Sequence, residues 1–172
     1  MDYELDNSDI KLLLPGVRIV SYPELSGINR LEDVLDSKGR LVILFLTLSA
    51  SEGHWICVFV RGPRSLEVFD SYGMAPDTER SWLSHSKLVQ LREVEPTLLN
   101  LLRDAHARGW NIDYNKYHLQ SHNTGVQTCG RHVVTRLLHQ HMLNADYNAL
   151  IRESGISPDK YVYNITSSLL GK

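Results

Sequence analysis

The chain is short of the features that mark most function classes. It has two cysteines, Cys57 and Cys129, in 172 residues. A disulfide framework in a small secreted domain would use more, so the pair points to a reducing compartment. No charged start leads into an apolar run and a cleavage site, so no signal peptide is read. The longest apolar stretch, Leu41 to Leu48, is far too short to cross a bilayer. Eighteen basic residues stand against 20 acidic ones, net −2, with no long run of one sign. A broad nucleic-acid footprint is therefore not expected. Arg131 and Arg136 share one helix and read as part of a solvated face. There is no Cys-x-x-Cys, and His139 and His141, two apart on a helix, face different ways. No metal site and no cofactor are expected. Repeats and low-complexity segments are missing too. Hydrophobic content of 42% and charged content of 22% then fit one globular domain, residues 1–172.

What is present alternates between helical and extended patterns. Asn7–Leu14 reads as a short capped helix stopped by Pro15-Gly16, and Val17–Tyr22 as a short strand. Ile28–Leu35 has helical spacing. Three β-rich runs follow: Arg40–Leu48, His54–Val60 and Leu66–Asp70, the last two joined by a tight turn at Arg61–Ser65. Asp77–Leu91 reads as a helix capped by Asp77 or Thr78, and Pro96–Arg108 as a clearer one. Asn111–Gln120 is expected to be one strand, irregular near Asn115. Helices over Cys129–Leu143, Asp146–Ser154 and Pro158–Leu170 close the chain. The class is α+β, a small mixed sheet flanked by helices.

The chemistry concentrates at three points. Cys129 stands where a polar approach meets an amphipathic pattern (Val133, Val134, Leu137, Leu138, Met142), hence at a helix N-terminus. Unpaired N–H groups and the macrodipole there favour thiolate over thiol and offer donors to an oxyanion. Gly130 would let a substrate backbone approach closely. If the hairpin turn centres on Gly62-Pro63, residue i faces roughly 125 minus i. His54 then lies opposite Asp70 or Ser71, with Cβ atoms about 4.5–5.5 Å apart. A carboxylate behind an imidazole fixes its tautomer and supports the imidazolium. An amide to hold an oxyanion could come from Gln120, Asn123 or Gln127. Cys57 alternates with Trp55 and Phe59 and reads as inert core. Trp82 and Trp110 read as packing residues.

The ordered set Gly53-His54-Trp55, Phe69-Asp70-Ser71, Gln120-Ser121 and Thr128-Cys129-Gly130 resembles the cysteine proteases that include adenain and the ubiquitin-like-protein proteases. The resemblance spans about Leu41 to Leu143. It is most similar to the maturation proteases of adenovirus-like viruses, virophages and Polinton-type elements. The resemblance implies a papain-like architecture with permuted catalytic order: His54 as base, Asp70 as its orienter, Gln120 as oxyanion donor, Cys129 as nucleophile. It implies that Trp55 and Gly130 shape a narrow substrate cleft, selective for small residues such as Gly before the scissile bond. Two departures stand out. The loop from Gln120 to Cys129 is a few residues longer than the family pattern, which makes Asn123 the next choice of donor. Thr128 also stands where ubiquitin-like-protein proteases more often carry an acidic residue. The implied substrate is a viral capsid or core precursor, or else a ubiquitin-like protein. A peptide or DNA activator is known among relatives of this kind. The implied enzyme is a monomer without membrane attachment, in host cytoplasm or nucleus and in the virion. Two further readings use the same residues: an acyltransferase of related catalytic order, and a non-enzymatic module with a vestigial site.

Overall fold

The computed structural model of the chain describes residues 4–122 and 127–171. Its centre is a five-stranded mixed sheet of strands β1 (Arg18–Ser21), β2 (Arg40–Ser49), β3 (Glu52–Gly62), β4 (Ser65–Phe69) and β5 (Asn111–Tyr114). They lie side by side in chain order. The middle three are antiparallel, and β1 and β5 join the edges in parallel. Helices cover both faces, which explains the unbroken apolar run of β2. Val42, Leu44 and Leu46 face one layer, and Leu41, Ile43 and Phe45 face the other. The first layer holds α1 (Asn7–Leu13), α4 (Cys129–Leu138), α5 (Asn144–Glu153) and α6 (Pro158–Leu170). The second is built mainly on α3 (Thr97–Ala107) and a 3₁₀ turn at Tyr22–Gly27. Leu98, Leu101, Leu102 and Ala105 of α3 are buried at spacings of three and four. Each buried leucine contributes about 1.5–3 kcal/mol. This is the α+β arrangement read from the sequence, a small mixed sheet flanked by helices.

Several boundaries differ, each for a local reason. The cap of α1 is Asp6, in a reciprocal pair of bonds with Asp9. Of Ile28–Leu35, only Leu31–Val34 is helical, as a 3₁₀ turn. The expected helix over Asp77–Leu91 is two pieces, a 3₁₀ turn at Thr78–Trp82 and α2 (His85–Leu91), the latter capped by Ser84. Asp77 caps a different helix: its carboxylate accepts the Leu99 N–H of α3 at 2.8 Å and the Tyr22 hydroxyl at 2.5 Å. Strand β5 stops at Tyr114, not Gln120, because Asn115 takes over the hydrogen bonding. Its side chain donates to the carbonyls of Asp70 and Tyr117 and accepts the Tyr117 N–H. Helix α4 stops at Leu138, not Leu143. Arg131 and Arg136 are not on a solvated face; they are 4% and 0% exposed.

A β-bulge after Leu46 carries a pH-sensitive bond. The Leu46 N–H is accepted at 2.7 Å by Glu93, whose other carboxylate oxygen is buried without a partner. Burial pushes the Glu93 pKa up to about 7, against the lowering effect of that bond. A carboxyl raised on folding contributes stability that is present below its unfolded value and lost as pH rises through the folded one. The chain should therefore lose stability between about pH 4.3 and pH 7 from this group. Glu93→Gln should flatten that slope, measured by denaturant midpoints at intervals across the window.

Candidate active site

Helix α4 brings Cys129 to the sheet. Val133, Val134 and Leu137 pack in one core with Trp55, Cys57 and Phe59 of β3. Gly130 makes the approach possible. A Cβ there would stand 3.2 Å from both Trp55 Cδ1 and Leu5 Cβ, closer than a side chain ordinarily tolerates. So Gly130 serves helix–strand packing and does not line the cleft, which corrects the role expected for it. Trp55 is buried, its Nε1 donates to the Leu5 carbonyl at 3.1 Å, and it lines a cavity of about 360 Å³ that shares Glu4 and Gly53 with the cleft at His54 and Cys129. What Trp55 offers Cys129 is its backbone N–H, 3.5 Å from Sγ, a donor that stabilises a thiolate.

His54 lies near the start of β3, beyond the point where β4 stops pairing at Cys57–Phe69. The observed register sums to 126, one more than expected, so His54 and Asp70 are not a cross-strand pair. Instead the chain turns after Phe69, with the Gly73 N–H on the Asp70 carbonyl at 2.9 Å. That turn swings the Asp70 carboxylate back onto His54, Oδ1 to Nε2 at 3.0 Å. The same oxygen accepts the Tyr72 N–H at 2.9 Å. Both side chains are buried. Burial opposes the charge on His54, but Asp70 overcomes it, and a hydrogen bond with Cys129 adds to the effect. The imidazole is held well above its usual range. Burial likewise opposes the charge on Asp70, and the His54 cation overcomes it, bringing the carboxyl down to about 2. Cys57, by contrast, is wholly buried and its thiol is pushed up by burial, as expected of inert core.

Gln120 is buried and faces the same cleft of about 320 Å³ as His54, Cys129 and Gln127. It does not end a strand. Ser71 fixes it: the Ser71 hydroxyl donates to Gln120 Oε1 at 2.6 Å, and the Ser71 carbonyl accepts the Gln120 N–H at 2.9 Å. Ser71 thus fixes both the oxygen end of the amide and its backbone. Gln127 is exposed, and Asn123, the other candidate, lies outside the described residues.

Five contributions were not read from the sequence. Asp159, at the head of α6, clamps both flanks of the loop between Gln120 and Cys129. It accepts the Ser121 N–H at 2.9 Å, the Thr128 hydroxyl at 2.5 Å and His132 Nε2 at 2.9 Å. Tyr72 stacks on His54, with ring centroids 5.1 Å apart, and carries His122 on its other side at 4.4 Å. His118 and His122 share the spacing His-x-x-x-His, a signal present in the sequence; their ring centroids are 4.5 Å apart, in a loop. Trp82, read as a packing residue, is 43% exposed and stands edge-on to His54 at 5.5 Å as a cleft wall. Glu79 is 2% exposed beside Asp70. Donor atoms of His54, Asp70 and Glu79 lie within 4.8 Å of one another, the one such grouping of His, Cys, Asp or Glu found among the described residues. Nothing in the sequence spacing marks Glu79.

A thiol at a helix head, an imidazole and a carboxylate in hydrogen-bonded series, beside a fixed amide, define a site able to deliver a sulfur nucleophile with a proton donor next to it. No family model matches the chain. An uncharacterized protein of Sputnik virophage, V9, is 32% identical over 168 residues, covering 94% of this chain and 93% of that protein. The chain belongs to the family of this virophage protein. Among solved structures, the central domain of the uncharacterized Lpg1148 protein from Legionella pneumophila aligns with a TM-score of 0.42 and 17% identity. That alignment covers 99% of this chain and 100% of the domain. The ASFV pS273R protease aligns with a TM-score of 0.44 and 13% identity, over 83% of this chain and 61% of the protease. Scores of this size do not by themselves establish a shared fold. No helix among the described residues is long and apolar enough to cross a membrane.

Proposed function

We propose that the chain is an adenain-like cysteine endopeptidase that processes viral capsid or core precursors, cleaving after small residues of the Gly type. The observation that carries this reading is the series Cys129–His54–Asp70: the Asp70 carboxylate is hydrogen-bonded to His54 Nε2, and Cys129 also acts on the imidazole. The Cys129 thiolate attacks the scissile carbonyl. The Gln120 amide and the backbone N–H at the head of α4 receive the oxyanion. His54 protonates the leaving amine, and then takes a proton from the water that releases the acyl-enzyme. Asp70 keeps the imidazole oriented and favours its protonated form before the amine leaves and again after water has given up its proton. Membership in a virophage protein family supports a viral precursor as the substrate.

The test is incubation of candidate capsid precursors with wild type and with Cys129→Ala, followed by N-terminal mapping of the fragments. New N-termini after small residues, produced by wild type alone, are the expected result. Cleavage restricted to the C-terminal glycine of a ubiquitin-like modifier, or acyl transfer from an acyl-CoA without cleavage, would overturn it. Removing one oxyanion donor costs about 10²–10³ in turnover. Gln120→Ala should show that loss in kcat with KM little changed, whereas Gln127→Ala should lose much less.

A further inference from the structure

The carboxylate of Asp70 has two oxygens, and His54 and the Tyr72 N–H use only one of them. The other, Oδ2, is buried and accepts no hydrogen bond from any side chain in its ionised form. An unpaired oxygen on a buried, charged carboxylate is costly, and Glu79 is placed to relieve it. Its carboxyl is 2% exposed and lies within 4.8 Å of both Asp70 and His54. Two carboxylates that close in a buried site cannot both ionise cheaply; sharing one proton removes the repulsion and supplies the missing donor.

We propose that Glu79 is a fourth member of the site, a positioning residue whose carboxyl donates a hydrogen bond to Asp70 Oδ2 and so sets how firmly Asp70 holds His54. The inference rests on the reading of His54 and Asp70 as base and orienter. The buried cluster then carries one negative charge, matched by one imidazolium, with the Cys129 thiolate beyond it. Glu79 is held un-ionised well above the usual carboxylate range, by burial first and then by Asp70, with His54 opposing. The groups facing Glu79 are Asp70, from the turn after β4, and His54, from β3. Cys129 of α4 also acts on His54. Arg80, next to Glu79 in the chain, turns its guanidinium to the carbonyls of Glu93 and Val94. When Glu79 ionises, the added negative charge favours the imidazolium, so the Cys129–His54 pair feels an extra titration, above the ordinary carboxylate range.

Glu79→Gln keeps a donor for Asp70 and removes the titration; Glu79→Ala removes both. Infrared difference spectra at neutral pH should show the carbonyl stretch of an un-ionised carboxylic acid in wild type. Glu79→Gln should lose the band, and Asp70→Asn should shift it. The rate at which iodoacetamide alkylates Cys129, followed by mass spectrometry across pH 5–10, should have one inflection more in wild type than in Glu79→Gln. A Glu79 that is merely buried, with no bond to Asp70, would move neither the Asp70→Asn band nor the alkylation profile, and that result overturns the proposal. So would a stoichiometric divalent metal in the purified chain, since an ion between the three side chains would replace the proton. Neither readout needs a substrate. A chain that cleaves no precursor but keeps both signatures would sink the peptidase reading and leave the Asp70–Glu79 bond standing.

Discussion

His54→Ala should lower turnover by about 10⁴–10⁶-fold, with KM nearly unchanged. His54 is a buried imidazole whose protonated form is favoured by Asp70 first and by Cys129 as well. Its removal takes away the cation beside Cys129 and the acid that protonates the departing amine. Asp70→Asn should cost far less, about 10–10³-fold, the range expected when one opposite charge is lost from beside a titrating group. The asparagine still accepts a hydrogen bond from Nε2 and so keeps the ring in place. The two variants also separate by pH. Because Asp70 holds His54 protonated well above its ordinary range, the alkaline fall in kcat/KM lies above neutral in wild type. In Asp70→Asn it should move towards acid. A profile that stays put would mean that Asp70 does not control His54. Equal losses from the two substitutions would mean that the charge, not the proton transfer, carries the rate.

Much of this arrangement was legible because strand and helix periodicity place residues without reference to anything distant. The continuous apolar run of β2 announced a strand covered on both faces, and the layers above and below it bear that out. Cys129 at the head of an amphipathic helix, and His54 beside Asp70, followed from local pattern and a single turn. The pairing was reached through a register one residue out, because the contact depends on the bend after Phe69 and not on the ladder. What could not be read were residues whose partners lie on other elements. Asn115 ends β5 with its own side chain. Asp77 leaves its own turn to cap α3. Glu79 sits in a 3₁₀ turn that looks solvent-facing by composition and is buried by the Asp70 turn. Gly130 was assigned to the cleft from the resemblance, and the structure uses it to seat α4 against Trp55 of β3.

Arg136→Ala should cost about 3–5 kcal/mol of stability, the range for removing one partner of a buried ion pair. At about 2–4 °C per kcal/mol for a chain of this size, the melting temperature should fall by roughly 6–20 °C. Arg136 was read as solvated because a charge inside a helical pattern usually is. Here its guanidinium meets Glu67 of β4 at 3.0 and 3.2 Å, with neither side chain exposed. It also donates to the carbonyls of His139 and Met142, both at 2.7 Å, past the end of α4. Phe59 and Tyr147 sandwich it at 4.8 and 4.9 Å. Without it, Glu67 keeps only Arg61, at 2.8 Å and partly exposed, and two carbonyls lose their donor. The double change Arg136→Met with Glu67→Leu removes the orphaned charge along with its partner. It should recover at least half of the loss, short of all of it because the two carbonyls stay bare. The pair also ties the far end of the Cys129 helix to the strand that leads into Asp70. Arg136→Ala should therefore depress cleavage at temperatures where the chain is still folded, and the double variant should restore cleavage in step with stability. A single substitution costing under about 1 kcal/mol would show that the pair contributes no more than a surface contact, and that α4 is held on the sheet by its apolar face alone.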